Sequence, residues 1–491
     1  MKKLPRSVPE QQGMSSDSIV AFLDAVDEEE FELHSIMIVR NGHVVTEGWW
    51  KPYEAESPHL LNSLSKSFTS TAVGIAEYEG LLSLDDQVIS FFPELVTEEI
   101  ESNMKDMKIR HLLSMSTGHD QDTTFVMWED HSNWAKVFLE MPIKHEPGTH
   151  FLYNTGATYM LSAILERVSG QKLLDFLRPR LFDPLGIQDV PTISCPQGVH
   201  VGGFGMSMRT EDIAKFGQLY LQNGVWEGVR ILPEGWVQAA TSKQVSNGDD
   251  EHSDWSQGYG YQFWRCRHDS YRGDGAFGQF CIVMPKQNAV IAITAGLMEM
   301  QDVLALVWKH LLPGMTDRQL LPESARYTDL STRLNALSYV SDQGVHRTPF
   351  QWRSHSAAYS IAPNANQFTQ AVFSEDEQEI SLSLIGDKGS FELRAGLGCF
   401  SYGEGELNGF SFNYAACGTW RKRNVLDITL FMTQYPLSDR ITCHFVSDSV
   451  QITSTRNVWK SPILSDMGII PTLSGSKFSD RDTWIGNTKQ E

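Results

Sequence analysis

Two short runs rich in β-branched and apolar residues, 34–40 and 43–49, flank Asn41-Gly42 near the start of the chain. This dipeptide is the strongest short signal for a β-hairpin, because both residues tolerate the positive φ angles of a tight turn. From Ser63 to Glu79, apolar residues recur every three or four positions, and a glycine follows where helices commonly end. The pattern therefore predicts a hairpin and then an amphipathic helix.

Helical and strand-like patterns alternate over the next part of the chain. Helical periodicity continues in three segments: 109–116, 155–168 and 210–222. Strand-like runs then return at 259–264, 280–284 and 289–294, and one more helical pattern follows at 300–312. Because strands stand at both ends of this region and helices in its middle, we expect the ends to pair in one sheet and the helices to form a lobe.

Beyond a polar stretch the hydrophobic pattern changes to a period of two, as in Ile380, Leu382 and Leu384. That period is typical of strands with one buried face. The strand-and-turn rhythm continues to about residue 460, which predicts an all-β barrel or sandwich. The sequence thus predicts an α+β domain, a linker, a carboxyl-terminal all-β domain and a loop or tail, at 1–315, 316–331, 332–460 and 461–491.

Composition and charge restrict the function. The 491 residues carry a formal net charge of −21, which repels phosphate backbones and anionic lipid headgroups, so we expect no nucleic-acid or membrane partner. The first residues lack the apolar segment of a signal peptide, and no run of about 18 apolar residues could span a membrane. The six cysteines are scattered without a CxxC pair, as in reduced cytosolic proteins. The predicted location is the cytoplasm.

The first candidate for chemistry is Ser63-Leu-Ser-Lys66, at the start of the predicted helix. Residues three apart share a helix face, so the serine hydroxyl and the lysine amine can hydrogen-bond. A serine becomes a strong nucleophile when a base takes its proton, and a lysine of lowered pKa can do so. The spacing alone is a weak signal, because Ser102 and Ser474 also precede a lysine by three residues. Of the three, only Ser63 opens an amphipathic helix.

Several further segments follow Ser63-Leu-Ser-Lys66 in order: Ile109–Gly118, Pro147–Thr155, Tyr159–Gly170, Pro184–Ile187, Ile213–Gly224 and Asp274–Gln279. Together they resemble the serine β-lactamase-related family, which includes class C β-lactamases, D-alanyl-D-alanine peptidases and esterases. The resemblance covers about residues 8–313. It implies a β-lactamase/transpeptidase-like fold, in which an antiparallel sheet is flanked by helices and a helical lobe.

The resemblance also implies roles for individual residues. Ser63 would be the acylated nucleophile, Lys66 the base or proton relay, and Tyr153 a phenolate or phenol whose pKa a nearby ammonium would lower. The backbone N–H groups of Ser63 and Ala276 would form an oxyanion hole. Residues expected to bind substrate are Asn154, Thr155, Asp274, Gly275 and Trp264. No metal or organic cofactor is implied.

Two departures from the family pattern bear on the substrate. Thr155 stands where the family has an asparagine that helps to hold a substrate amide, and Gly273 stands where it has a lysine or histidine that meets a substrate carboxylate. Asp274 would repel an anion. Arg272 is expected to point to solvent, as arginines on strands usually do. The sequence therefore predicts poor or no β-lactamase activity.

The leading prediction is a serine hydrolase that cleaves a small ester or amide through an acyl-enzyme on Ser63. An acyltransferase with the same nucleophile is an alternative, because only access for the acceptor would differ. A binding or sensor protein that retains the fold without turnover is a second alternative, motivated by the altered motifs. The sequence does not identify the natural substrate, and it does not exclude an oligomer.

Overall fold

The computed structural model describes residues 3–129, 133–321, 324–340, 356–363, 367–376, 378–387, 389–407, 410–446, 449–458 and 481–488. Internal contacts divide the chain into two compact units. The first unit consists of Met1–Gly48, Pro58–Ala295 and Glu299–Ala336. The second unit consists of Trp49–Ser57, Gly296–Met298 and Leu337–Glu491.

Among the described residues, all helices belong to the first unit. In chain order they are α1 (Ser16–Glu28), α2 (Ser65–Tyr78), α3 (Glu98–Met104), α4 (Ile109–Leu113), α5 (Thr124–Glu129), α6 (Trp134–Glu140), α7 (Thr155–Ser169), α8 (Leu173–Leu177), α9 (Asp183–Leu185), α10 (Thr210–Leu221), α11 (Trp236–Thr241), α12 (Met300–Leu306) and α13 (Ser324–Asn335). Over the described ranges, no helix has both the length and the apolar character needed to cross a bilayer.

The strands that the structure describes number ten in each unit. Those of the first unit are β1 (Leu33–Arg40), β2 (His43–Trp49), β3 (His59–Leu60), β4 (Ser207–Met208), β5 (Val225–Trp226), β6 (Val229–Arg230), β7 (Trp264–Arg265), β8 (Tyr271–Gly275), β9 (Gln279–Met284) and β10 (Ala289–Ala295). Those of the second unit are β11 (Ser356–Ile361), β12 (Phe368–Glu375), β13 (Glu379–Gly386), β14 (Gly389–Leu397), β15 (Ser401–Leu407), β16 (Phe410–Lys422), β17 (Val425–Met432), β18 (Leu437–Val446), β19 (Ser449–Arg456) and β20 (Arg481–Thr488).

A six-stranded sheet in the order β2-β1-β10-β9-β8-β7 is the centre of the first unit. Asn41 and Gly42 join β1 to β2 with φ angles of 50° and 76°, so the predicted hairpin is confirmed. Strand β10 pairs antiparallel with β1, with Ile291 opposite Ile38. This pairing confirms that the two ends of the region lie in one sheet.

Helices cover this sheet and form the predicted lobe beside it. Strands β1, β9 and β10 are buried along their whole length, as expected for a sheet with both faces covered. Helix α10 lies on β9 and β10, and a Cβ at its Gly217 would be 2.5 Å from Val290 Cγ1. The absence of a side chain at Gly217 therefore allows close packing of the helix on the sheet.

The predicted strand at 259–264 is wrong except at Trp264, which begins β7. The chain turns at Gln262, whose φ is 64°. The Gln262 side-chain amide donates to the carbonyls of Leu112 and Leu113 at 3.1 and 2.8 Å. The segment is thus held by hydrogen bonds to the end of α4, a constraint from another part of the chain that a local apolar pattern does not reveal.

The second unit is a ten-stranded sheet in the order β14-β13-β12-β11-β20-β19-β18-β17-β16-β15. A parallel pairing of β14 with β16, at Gly396–Cys417 and Leu397–Gly418, nearly closes this sheet into a barrel. Ile380, Leu382 and Leu384 of β13 are all fully buried, and the residues between them are half-buried. The predicted fold class, a β-lactamase-like domain followed by an all-β barrel-like domain, is confirmed.

Two segments differ from the expected linker and tail. Helix α13 begins within the polar stretch around 316–331 and continues to Asn335, and β20 forms within 461–491, of which the structure describes 481–488. Strand β20 pairs with β19 on one side and β11 on the other. Its partners are distant in sequence, so the polar composition of the segment alone did not indicate a strand. The predicted domain boundaries stay predictions.

Candidate active site

Ser63 lies in a single 3-10 turn, Asn62–Leu64, directly before α2. The preceding Asn62 has a φ of 48°, in the left-handed region that asparagine adopts more readily than most residues. The Asn62 amide donates to the carbonyl oxygen of Ala276 at 2.9 Å. The turn that presents Ser63 is thereby tied to the residue that follows β8.

Lys66 reaches Ser63 as the spacing predicts. Its Nζ lies 2.9 Å from Ser63 Oγ and donates to the carbonyl of Gly203 at 2.8 Å. The side chain is almost fully buried, and this burial lowers the pKa of Lys66 to about 7, although the Asp122 and Asp274 carboxylates act to raise it. Near neutral pH a substantial fraction of the amine is uncharged and can accept the serine proton.

The Gly203 carbonyl is a functional group that the sequence interpretation missed. A Cβ at Gly203 would lie 2.8 Å from Thr155 Cγ2 and 3.1 Å from the Thr155 carbonyl oxygen. Only glycine therefore allows this loop to approach α7 and direct its carbonyl at Lys66. The glycine-rich run Gly202–Gly205 is the signal in the sequence that could have indicated it.

Tyr153 completes a cluster with the serine and the lysine. Its hydroxyl hydrogen-bonds with Ser63, and Lys66 Nζ lies 4.9 Å from the centre of its ring. Burial and then the nearby Asp274 carboxylate raise the pKa of Tyr153 above its usual value, against the opposing effect of the Ser63 hydrogen bond. The predicted lowering of this pKa by an ammonium group is wrong, because desolvation dominates. Of the two predicted forms, the structure favours the neutral phenol.

Strand β8 passes directly beside the nucleophile turn. A Cβ at Gly273 would lie 2.6 Å from both Leu64 Cδ1 and Ser67 Oγ, and a Cβ at Gly275 would lie 1.9 Å from the Leu61 carbonyl oxygen. Neither position has room for a side chain. The glycine in place of the family's lysine or histidine is thus a consequence of close packing between β8 and the start of α2.

The expectation that Arg272 points to solvent is wrong. Its side chain is fully buried, and its Nε donates to Asp274 Oδ2 at 2.8 Å. The guanidinium carbon lies 4.3 Å from the ring centre of Trp255 and 5.5 Å from that of Trp264. Residues two apart on a strand share a face, so the carboxylate and two aromatic rings together compensate the buried charge.

Comparison with known proteins identifies the family. The family model described as Beta-lactamase matches residues 26–303, more than half of the chain. The chain belongs to the beta-lactamase family. It is 25% identical over 283 residues to the 6-aminohexanoate-dimer hydrolase of Paenarthrobacter ureafaciens, which covers 54% of this chain and 72% of that protein. It is 28% identical over 162 residues to the lovastatin esterase of Penicillium rubens, which covers 28% of this chain and 40% of that protein.

A solved structure with the same fold is EstCE1, described as a hydrolase with promiscuous acyltransferase activity. It matches with a TM-score of 0.50 and 18% identity, over 61% of this chain and 99% of that structure. The two relatives above are named as a hydrolase and an esterase. The predicted family and the predicted class, a β-lactamase-related hydrolase, are therefore confirmed.

Within this beta-lactamase fold, not every predicted site residue lines the cluster. Ser63, Lys66, Tyr153, Trp264, Asp274 and Gly275 come together, with Trp264 stacked on Tyr153 at 5.4 Å between ring centres. Asn154 does not join them: it is fully buried, and its Oδ1 accepts from Thr123 N and Thr123 Oγ1 at 3.1 and 2.8 Å. In the described ranges, no three His, Cys, Asp or Glu side chains are grouped as a metal site requires.

Thr155 begins α7 and helps to hold Asp122, the second carboxylate near Lys66 after Asp274. Its backbone N–H donates to Asp122 Oδ1 at 3.1 Å, and Thr124 N and Thr124 Oγ1 donate to the same oxygen at 3.0 and 2.7 Å. Asp122 is close enough to Lys66 to act on its pKa. The sequence interpretation missed this residue, because only the loop conformation brings it near the serine.

Proposed function

We propose that this protein cleaves a small ester or amide by forming an acyl-enzyme on Ser63. The observation that carries the proposal is the 2.9 Å contact between Lys66 Nζ and Ser63 Oγ, together with a lysine pKa of about 7. The uncharged amine takes the serine proton as Ser63 Oγ attacks the substrate carbonyl. Water later attacks the acyl-enzyme, and the same amine takes a proton from that water. The bond between the acyl group and Ser63 Oγ then breaks, the acid is released, and Oγ takes the proton back from the Lys66 ammonium 2.9 Å away.

Tyr153 acts as a proton donor in this scheme. Its raised pKa keeps the hydroxyl protonated, and its hydrogen bond to Ser63 places it beside the bond that breaks. When the tetrahedral intermediate collapses, the phenol gives its proton to the leaving alcohol or amine. The ammonium of Lys66, whose Nζ lies 4.9 Å from the centre of the Tyr153 ring, then returns a proton to the phenolate. The serine proton has thus moved to the leaving group, and Lys66 and Tyr153 regain their starting protonation states.

The backbone N–H groups of Ser63 and Ala276 form the proposed oxyanion hole. Support comes from the bonds that hold the Ala276 peptide: its carbonyl accepts from Asn62 Nδ2 at 2.9 Å and from Gln279 Nε2 at 3.2 Å. Donors fixed before the reaction stabilise the developing charge without reorganisation. Because these are backbone groups, the glycine-rich sequence of β8 does not prevent the role.

The charges around Ser63 favour a substrate whose acyl group is uncharged. Asp122 and Asp274 both act electrostatically on Lys66, and Arg272, the cation on β8, is bound to Asp274. A substrate carboxylate would therefore meet negative charge near the serine. We propose that neutral esters and amides are cleaved and that β-lactams, which carry a carboxylate, are poor substrates.

The proposal is tested with a short-chain 4-nitrophenyl ester and two serine variants on the same helix region. Ser63→Ala is expected to lower kcat at least about 10³-fold, as removal of a nucleophile does elsewhere. Ser70→Ala is the matched control, because Ser70 is buried and its hydroxyl donates to the Tyr261 carbonyl at 2.7 Å. If Ser63→Ala retains the activity of the wild type, the proposal is wrong.

A further inference from the structure

We propose that Asp274 is an internal carboxylate that occupies an anion-binding position formed by Arg272, and that it thereby sets the charge specificity of the site. Removal of this carboxylate opens the position to the carboxylate of a substrate. The inference rests on the proposed function, since it concerns the acyl group that Ser63 attacks. It makes Asp274 a specificity-determining residue.

The first argument is the incomplete bonding of the Arg272 guanidinium. Its Nε donates to Asp274 Oδ2 at 2.8 Å, and its Nη1 lies 2.8 Å from the Asp254 carbonyl oxygen and 3.1 Å from Cys266 Sγ. Its Nη2 is buried and has no hydrogen-bond partner among the residues that the structure describes. A carboxylate binds a guanidinium best through two parallel N–H groups. Asp274 accepts from only one such group, Nε, and the Nη2 donor remains available to a second carboxylate oxygen.

The second argument is the charge that remains when the carboxylate is removed. Arginine does not lose its proton in proteins, and Arg272 is fully shielded from water. Without Asp274, the cation is left beside the faces of Trp255 and Trp264 with no carboxylate bound to it, because the nearby Asp254 carboxylate is bound to Arg267. An uncompensated buried charge is unfavourable by several kcal/mol, so the position attracts an anion of suitable size.

The third argument is the distance to the reacting groups. Asp274 receives a hydrogen bond from Trp264, the residue stacked on Tyr153, and it precedes Ala276 by two residues, about 7 Å along an extended strand. Its side chain is buried but 6% exposed, so the space that it fills borders the surface of the fold. An acyl chain a few carbons long can span from the Ser63 hydroxyl to this position.

The test compares two esters with the same leaving group and acyl length, 4-nitrophenyl pentanoate and mono-4-nitrophenyl glutarate. The wild type is expected to prefer the neutral pentanoate. In Asp274→Ala, the ratio of kcat/KM for the glutarate to that for the pentanoate is expected to rise at least tenfold. Adding Arg272→Met to that variant is expected to abolish the rise, because the cation is then absent. Asp274→Ser, whose shorter side chain also leaves the position open, is measured as well and serves if the alanine variant does not fold.

The control is Asp439→Ala, which breaks a buried arginine–aspartate pair in the second unit and is expected to leave the ratio unchanged. An unchanged ratio in a folded Asp274 variant would overturn the inference, as would a rise that persists without Arg272. Failure of the proposed function looks different: pentanoate hydrolysis by the wild type would then survive Ser63→Ala. Loss of the specificity shift with intact Ser63-dependent hydrolysis contradicts only the role of Asp274.

Discussion

Each unit of the molecule contains a buried arginine–aspartate pair, and the two pairs are bonded differently. In the second unit, Arg456 donates to both oxygens of Asp439, from Nε at 2.8 Å and from Nη2 at 2.6 Å, across the paired strands β18 and β19. In the first unit, Arg272 donates to one oxygen of Asp274 within the single strand β8. The pair in the second unit links two strands through both carboxylate oxygens, whereas the pair in the first unit joins residues of one strand through a single oxygen.

The surroundings of the two pairs indicate which unit contains the active site. Burying an ion pair is costly and contributes little net stability in either place. Only the pair in the first unit has perturbed groups around it: a lysine of lowered pKa and a tyrosine of raised pKa, both acting on Ser63. Perturbed titratable groups that cluster around a nucleophile indicate an active site. Among the described residues, the bidentate pair of the barrel-like sheet has no nucleophile with such titratable groups around it, and we interpret this pair as structural.

Among substitutions of the groups around the first pair, the largest loss of activity is expected from Lys66→Met. Without the amine nothing takes the Ser63 proton, so kcat/KM for a neutral ester should fall about 10³-fold. Lys215→Met is the matched control, because Lys215 is also buried but lies on α10, 3.7 Å from Asp212. Steady-state hydrolysis by both variants measures this. Activity of Lys66→Met within tenfold of the wild type would contradict the role of the lysine.

A smaller loss is expected from Tyr153→Phe. The ring and its stacking on Trp264 remain, and only the proton donor is lost, so kcat should fall about 10²-fold with the melting temperature little changed. Tyr220→Phe removes a buried hydroxyl that hydrogen-bonds Thr71 at 2.7 Å and should affect stability rather than kcat. Equal kcat values for the two phenylalanine variants would argue against proton donation by Tyr153.

The pH dependence should follow the lysine. Because burial lowers the pKa of Lys66 to about 7, the amine becomes protonated below that pH and can no longer act as a base. We expect kcat/KM to fall about tenfold for each pH unit below 7 and to level off above it. A pH profile from 5 to 9 measures this, with thermal melts to show that the protein stays folded. A flat profile, or one that falls above pH 7, would contradict the assignment of the base.

The smallest effect on activity is expected from Asp439→Asn in the second unit. Loss of the carboxylate leaves the Arg456 charge buried without its anion, which should lower the free energy of unfolding by about 3–5 kcal/mol. The kcat of the folded protein should stay within about twofold of the wild type. Urea unfolding and ester hydrolysis on the same samples test both statements. A large change in kcat without a loss of stability would show that this pair is more than structural.

Local features of the sequence predicted much of the fold. The Asn41-Gly42 hairpin, helix α2 and the alternating strand β13 each depend on periodicity or turn residues within about twenty positions. Strand β20 depends on partners more than 25 residues away, and Gln262 turns because it bonds to the end of α4. Those contacts are set by tertiary packing, so a local pattern does not contain them.

The candidate site shows the same division. The Ser63 and Lys66 contact follows from helical spacing, and the family motif indicates Tyr153. The buried orientation of Arg272, the Gly203 carbonyl and the Asp122 carboxylate each require segments that meet only in the folded chain. The direction of the Tyr153 pKa shift was missed for a related reason: it depends on burial, which outweighs the neighbouring charges.

The most direct test of the central claim is the site of covalent labelling. The wild type and Ser63→Ala are incubated with a fluorophosphonate, their intact masses are measured, and the labelled protein is digested and mapped. The proposed mechanism predicts one adduct on the wild type, located on the peptide that contains Ser63, and none on the variant. No adduct on the wild type, or equal labelling of both proteins, would contradict the acyl-enzyme and favour a protein that retains the fold without turnover.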